Sequence, residues 1–98
     1  MKEQLSDQGL LKTQAFINGR WVDAHDGATI DVTNPATGEV LASVAKVGAA
    51  ETAQAIEAAE KAMESWRHLP AKARSNILRD WFNIIMEHQE DLARIMTL

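Results

Sequence analysis

Three histidines are the side chains of this sequence best suited to bind a metal or to transfer protons near neutral pH. His25, His68 and His88 lie far apart, and none has a second histidine at the i+3 or i+4 spacing of a helical ligand pair. We interpret His25, in a polar loop, and His68, at a helix end, as solvated. We interpret His88, beside an apolar stripe, as a partly buried interface residue rather than a general base.

Acidic side chains gather near the end of the chain, at Glu87, Glu90 and Asp91. Helical spacing spreads these three around a polar side, so we interpret them as a solvated face rather than a catalytic carboxylate pair. The sequence contains no cysteine, which excludes a thiol nucleophile, a thiolate metal site and disulfides. We therefore assign no catalytic, cofactor-binding or metal-binding residue to this chain.

Glycines and tryptophans are the remaining residues that could build a binding site. The glycines after the lead-in stand singly at predicted turns, at positions 19, 27, 38 and 48, and no phosphate-binding glycine motif is present. Trp21, Trp66 and Trp81 belong to separate elements of the chain. We expect them to pack in a core rather than to form a platform for stacking bases.

Composition limits the class of protein. The chain has 98 residues, of which 46% are apolar and 24% charged, as expected for one small folded domain. Its formal net charge of −4 and its lack of a basic run argue against a nucleic-acid partner. No segment approaches the roughly 18 apolar residues of a membrane span, and the first residues lack a signal-peptide core. We expect a cytoplasmic protein without a membrane partner.

The elements that must position these residues fall into three regions. Residues 1–13 form a polar lead-in of low predicted stability, either a single helical turn or an extended segment. Residues 14–47 predict an antiparallel β-hairpin region, in which Asn18-Gly19 supplies the two positive φ angles of a type I′ turn. A second pair of strands surrounds a turn at residues 32–39, where Pro35 and Gly38 suit the corner positions.

The sequence pattern predicts a two-helix region at residues 48–98. Gly48 is the expected N-cap of a first helix that ends near Arg67, and Glu51 falls where a carboxylate suits the free amides. Pro70 separates it from a second helix that runs from Ala71 to the end. Apolar residues cover well over half of this second helix, more than a helical pair buries. We expect the sequence to stop within an incomplete element whose apolar surface needs a further partner.

Three segments in this order resemble the amino-terminal region of the aldehyde dehydrogenase superfamily: FINGRWV at 16–22, TNPATGEV at 33–40 and AMESWR at 62–67. Three later segments are similar to bacterial succinate-semialdehyde dehydrogenases: NILRDWFN at 76–83, MEHQEDLAR at 86–94 and MTL at 96–98. Glutarate-semialdehyde dehydrogenases are similar enough here that the two groups are not separated. The resemblance covers nearly the whole chain.

The resemblance implies an α+β fragment of an α/β enzyme, with short antiparallel β-hairpins followed by two amphipathic helices in a cofactor-binding domain. It implies a parent enzyme, a homo-oligomer, that uses NADP or NAD to oxidise a small-molecule aldehyde to a carboxylate. In that chemistry a cysteine thiolate attacks the aldehyde, hydride passes to the nicotinamide, and a glutamate-activated water releases the acid. The family's catalytic residues and phosphate-binding loop lie downstream of the matching region, so we expect this fragment to be inert and to bind no cofactor.

Two other interpretations stay open at this point. The chain could be a self-contained interaction module that buries its apolar helix faces by self-association or against a partner. Alternatively, the parent enzyme could act on glutarate semialdehyde or another ω-carboxy aldehyde. A downstream cysteine and glutamate in the same reading frame would establish the enzymatic parentage.

Overall fold

The computed structural model describes residues 1–98. Two strands, β1 (Ala15–Ile17) and β2 (Arg20–Val22), form the first sheet and pair antiparallel. The two residues between them, Asn18 and Gly19, have φ values of 52° and 76°. These angles are those of a type I′ turn, whose twist matches the twist of the flanking strands. The predicted hairpin is confirmed.

A second, separate sheet pairs β3 (Thr29–Thr33) with β4 (Val40–Ala45), again antiparallel. The pairing register shifts between Val32 and Thr33, which leaves Leu41 as the extra residue of a β-bulge. A bulge increases the local twist of a strand pair. The two-stranded sheets each need a neighbouring layer, because an isolated pair of strands has little stability of its own.

The turn between β3 and β4 is closed by Asn34. Its backbone carbonyl accepts a hydrogen bond from the amide of Gly38 at 2.7 Å, and its amide donates to the carbonyl of Glu39 at 2.8 Å. Its side-chain oxygen accepts from the amide of Ala36 at 2.9 Å. Gly38 has a φ of 75°, a conformation that other residues rarely adopt. The turn predicted at residues 32–39 is therefore confirmed, with Gly38 in the positive-φ conformation that suits its corner position.

Helix α1 spans Ala49–Trp66, within one residue of the predicted bounds at each end. Its N-cap is Gly48, whose backbone amide donates to Oε2 of Glu51 at 3.1 Å. Since glycine has no side chain, Glu51 supplies only one half of a capping box. Pro70 then separates α1 from the next helix, as the sequence predicted.

The single helix predicted for the remainder is wrong, because the structure has two: α2 (Ala71–Glu87) and α3 (Gln89–Thr97). They meet at His88, where φ is −107° and ψ is 17°. The amide of His88 is shared between the carbonyls of Ile84 at 3.3 Å and Ile85 at 3.1 Å. Such sharing tightens the last turn of α2 and ends it without a glycine or proline. The chain thus has two small sheets and three helices.

The lead-in consists of two short 3₁₀ turns, Lys2–Gln4 and Gln8–Leu10. Leu5, between them, is only 5% exposed and is one of two buried apolar residues, with Ala24. The lead-in is therefore docked on the rest of the chain, which the sequence pattern did not show. The division into regions 1–13, 14–47 and 48–98 stays a prediction.

The chain is extended and buries little apolar surface. Its radius of gyration is 16.6 Å, against about 13 Å for a compact domain of this length. None of its helices combines the length and apolar character needed to cross a membrane. The large apolar residues that stay exposed are concentrated on the helices: Ile56, Met63, Ile77, Leu78, Trp81, Phe82, Ile84, Ile85, Met86 and Met96. The surplus of apolar helix surface predicted from the sequence is confirmed.

Candidate functional site

The two buried polar residues of the chain are both acidic, Glu51 and Asp91. Burial of a charged group is costly unless hydrogen bonds or an opposite charge compensate for the lost water. Asp91 accepts its hydrogen bonds from a segment distant in sequence. Glu51 instead accepts one from the nearby amide of Gly48 and lies 3.7 Å from the imidazole of His25. The geometry around them therefore shows which segments the fold holds together.

Asp91 fastens the lead-in to the first turn of α3. Its two carboxylate oxygens accept hydrogen bonds from the backbone amides of Ser6 at 2.9 Å and Asp7 at 2.8 Å. The guanidinium of Arg94 lies 3.9 Å from the same carboxylate and also donates to the carbonyl of Gln4 at 3.4 Å. This cluster clamps the amino terminus onto a helix more than eighty residues away in sequence.

The amide of Ser6, followed by that of Asp7, lowers the pKa of Asp91, because both hydrogen bonds favour the charged carboxylate. Burial opposes this shift, and the nearby Arg94 and His88 reinforce it. The interpretation of Asp91 as part of a solvated face is therefore wrong, whereas Glu87 and Glu90 are exposed as predicted.

A signal for Asp91 was present in the sequence. Asp91 stands three residues after His88 and four before Ile95, so it shares the side of the apolar stripe rather than the polar side. A carboxylate on the apolar side of a helix needs a hydrogen-bond donor to compensate for its burial. The break at His88 also places Asp91 in the first turn of a new helix, where a carboxylate suits the free amides and the helix dipole.

His25 contacts α1 instead of lying free in its loop. Its Nε2 lies 3.2 Å from Oε1 of Gln54, and its Nδ1 lies 3.7 Å from Oε1 of Glu51. The imidazole is 54% exposed, while the Glu51 side chain is 8% exposed. The prediction of a solvated ring is thus only half right, because the loop after β2 is held against the amino-terminal turn of α1.

The remaining candidates do not converge on a chemical centre. His68 is exposed, as predicted, and His88 is half-buried at the junction of α2 and α3. No three acidic or histidine side chains come together to hold a metal ion. The amino terminus of α1, the place where a helix can bind phosphate, already holds the carboxylate of Glu51. The diphosphate of a nicotinamide dinucleotide would therefore meet a negative charge at this helix terminus.

The prediction that the three tryptophans pack in a core is not met within this chain. Trp81 is 63% exposed on α2 and Trp21 is 45% exposed on β2, whereas Trp66 is half-buried. Trp21 lies against the ring of Phe16, with 5.0 Å between centroids, and the ammonium of Lys12 stands 5.3 Å from its ring. The physical reason is that no other element of the chain covers most of α2.

An open apolar depression lies along α1 and the segment that follows it. Its lining consists of Ala59, Ala62, Met63, Ser65, Trp66 and Leu69. The two alanines leave room for close approach of a neighbouring element. The arrangement can thus accept a packed element, but it presents no group that could act on a substrate.

Comparison with known proteins gives these surfaces a context. Residues 21–98 match the model of the aldehyde dehydrogenase family. The chain is 59% identical over 95 residues to the NADP-dependent succinate-semialdehyde dehydrogenase of Escherichia coli strain K12. The matched residues cover 97% of this chain and 20% of that protein. It is 58% identical to the glutarate-semialdehyde dehydrogenase of Pseudomonas aeruginosa, with the same two coverages.

Solved structures agree with these relatives. The crystal structure of succinate-semialdehyde dehydrogenase from Burkholderia pseudomallei matches with a TM-score of 0.91 and 50% identity, over 95% of this chain and 19% of that one. The chain therefore spans about a fifth of the length of the relatives that it matches. The family match extends from β2 to the end of α3. The chain belongs to the aldehyde dehydrogenase family.

Proposed function

We propose that this chain is the amino-terminal scaffold portion of an NAD(P)-dependent enzyme that oxidises an ω-carboxy aldehyde to the dicarboxylate. The observation that carries the proposal is 59% identity to a succinate-semialdehyde dehydrogenase along almost the whole chain. Identity to a glutarate-semialdehyde dehydrogenase is practically the same, so the proposal names the substrate class and leaves the chain length of the substrate open. The enzyme acts on this small molecule in the cytoplasm as a homo-oligomer.

The scaffold provides apolar helix sides on which other parts of the enzyme pack, and it provides no reactive group. Helices α1 and α2 expose their apolar sides, including Ile56, Leu78 and Trp81. Exposed apolar patches of this extent are rare in monomeric proteins and mark places where another element packs. In the whole enzyme, the remaining four-fifths of the chain covers these sides and holds NADP or NAD. In this proposal the lead-in, residues 1–13, fastens the amino terminus to α3. Residues 14–47 form the two hairpins, and residues 48–98 form a helical layer.

This proposal predicts that the chain is inert by itself. The purified 98 residues, mixed with succinate semialdehyde and NADP or NAD, should give no reduced nicotinamide above the blank. The physical reason is that the chain contains no thiol to attack the aldehyde. Formation of NADPH or NADH that scales with protein concentration would refute the assignment of a purely structural role.

A second candidate function is favoured by the same exposed helix sides. A self-contained interaction module would bury them by self-association or against a partner chain. Light scattering and thermal melts over a range of concentrations separate the two. A monodisperse species with a cooperative melt would support the module, because the chain would then satisfy its own surface. A loosely packed or heterogeneous species would support the scaffold, whose covering layer is absent.

A further inference from the structure

We propose that Asn18 is a site of spontaneous covalent modification, at which the side-chain amide is lost through a cyclic imide formed with the backbone of Gly19. The hairpin turn places an asparagine directly before a glycine at an exposed tip. Glycine has no side chain to shield its backbone nitrogen, and nothing lies within 4 Å of the position that its Cβ would occupy. The nucleophile and its target are therefore adjacent and open to solvent.

Both groups are free of competing hydrogen bonds. The amide of Gly19 donates to no backbone carbonyl. None of the side-chain hydrogen bonds in the chain involves Asn18. Attack requires rotation of the backbone at Asn18, away from the turn. The flanking strands have three residues each, so this local opening is easier than global unfolding.

The reaction needs no partner other than solvent. The backbone nitrogen of Gly19 bonds to Cγ of Asn18, the bond between Cγ and Nδ2 breaks, and the proton of Gly19 leaves with Nδ2 as ammonia. Water then opens the imide at either carbonyl. Opening at the side-chain carbonyl gives aspartate, and opening at the backbone carbonyl gives isoaspartate. Nothing is oxidised or reduced, because an amide is exchanged for a carboxylic acid.

A second turn of similar sequence shows why the structure selects Asn18. At Asp26-Gly27 the glycine nitrogen donates to the carbonyl of Ala24 at 2.9 Å, and the Asp26 side chain accepts from the amide of Ala28 at 2.9 Å. Both reacting groups are thus occupied. The sequence pair alone would rank both turns as reactive, whereas the hydrogen bonds leave only the first one open.

The other asparagines are protected in different ways. Asn34 precedes Pro35, whose nitrogen carries no proton to lose. Asn76 and Asn83 lie inside α2, and each precedes a β-branched isoleucine that crowds the nitrogen. The other three asparagines therefore serve as controls for Asn18 within the same molecule.

The product would weaken the contact between the first hairpin and α1. Isoaspartate routes the main chain through the side-chain carbon, so the two-residue turn becomes longer and Ile17 and Arg20 lose their pairing. Asn18 also lines an open groove with Glu57 and Lys61 of α1, and either product places a new negative charge there. Modification would therefore change both the geometry and the charge of this junction.

Tryptic peptide mapping tests the proposal on the intact chain. The four asparagines fall on different tryptic peptides, because cleavage after Lys12, Arg20, Lys46, Arg74, Arg79 and Arg94 separates them. After incubation of the native chain at physiological temperature and mildly alkaline pH, the peptide with Asn18 should show the acid product, mostly isoaspartate, well before the other three. Equal conversion of all four, or conversion at Asn18 only after denaturation in urea, would overturn the proposal.

Two variants identify the mechanism. In Asn18→Gln the product should vanish from this peptide on the same timescale, because the larger ring forms much more slowly. In Gly19→Ala the rate should fall several-fold, because the added methyl group crowds the nitrogen. Conversion in Gly19→Ala at the rate of the unmodified sequence would show direct hydrolysis rather than attack by the backbone. Asp26 provides the matched control and should isomerise far more slowly than Asn18 converts.

Discussion

Replacement of Ile56 by alanine tests whether the exposed side of α1 is truly uncovered in this chain. Ile56 is 62% exposed. Full burial of such a side chain contributes up to about 3 kcal/mol, so the roughly two-fifths buried here accounts for about 1 kcal/mol. Alanine also favours the helical conformation by a few tenths of a kcal/mol. The free energy of unfolding of the 98-residue chain should therefore fall by less than about 1 kcal/mol.

The matched control is Leu5→Ala, because Leu5 is 5% exposed. Truncation of a buried leucine costs about 2–5 kcal/mol. Urea unfolding, followed by tryptophan fluorescence at two protein concentrations, measures both variants. An Ile56→Ala cost equal to that of Leu5→Ala would refute the account, because the residue would then be buried in solution. A cost that grows with concentration would point instead to self-association.

The same substitution has the opposite expectation in a chimera that joins this chain to the remaining four-fifths of the Escherichia coli relative. There the apolar side of α1 meets its covering layer, and Ile56→Ala should cost about 2–5 kcal/mol, as for a core residue. A difference between chimera and isolated chain of less than about 1 kcal/mol would show that nothing packs on this side.

Three further predictions concern the polar contacts and turns. Asp91→Ala should raise the hydrogen-exchange rates of the lead-in amides, whereas Glu90→Ala should not. Because the pKa of Asp91 is lowered in the folded chain, its contribution to stability is present above the unfolded pKa of about 3.9 and disappears as the pH falls through the lower folded value. In the alanine variant, the protection of the lead-in amides against hydrogen exchange should therefore no longer fall over this acidic pH range. Gly38→Ala should lower the free energy of unfolding by about 1 kcal/mol or more in urea titrations, since φ is 75° there. Glu51→Ala should reduce helicity by circular dichroism and cost about 1 kcal/mol, because the amide of Gly48 loses its acceptor; an unchanged spectrum and midpoint would contradict the capping role.

Local turn and cap chemistry could be predicted from the sequence because each depends on a few neighbouring residues. Asn18 and Gly19 specify the type I′ turn by themselves, and Gly48 with Glu51 specifies the start of α1. The bulge at Leu41 could not be predicted, because strand register depends on which residues the partner strand presents.

Tertiary contacts set the features that the sequence pattern missed. The apolar period continues through His88, so a helix break there leaves no trace in the spacing. The position of Asp91 on the side of the apolar stripe signals that it is not solvated, but the sequence does not show that its partners are the lead-in amides of Ser6 and Asp7. The helical pattern indicates a surplus of apolar surface on α2, but it does not show that Trp81 is among the residues that stay exposed. The candidate site was predictable only as a surplus of apolar surface.

The most direct test of the central claim is the activity of the chimera with the Escherichia coli relative. The chimera replaces the matching fifth of that enzyme with this chain, at 59% identity. If this chain is the scaffold of such an enzyme, the chimera should assemble and reduce NADP with succinate semialdehyde, while the same relative without its first fifth should not. A chimera that folds, by circular dichroism and a cooperative melt, yet reduces no NADP would contradict the claim.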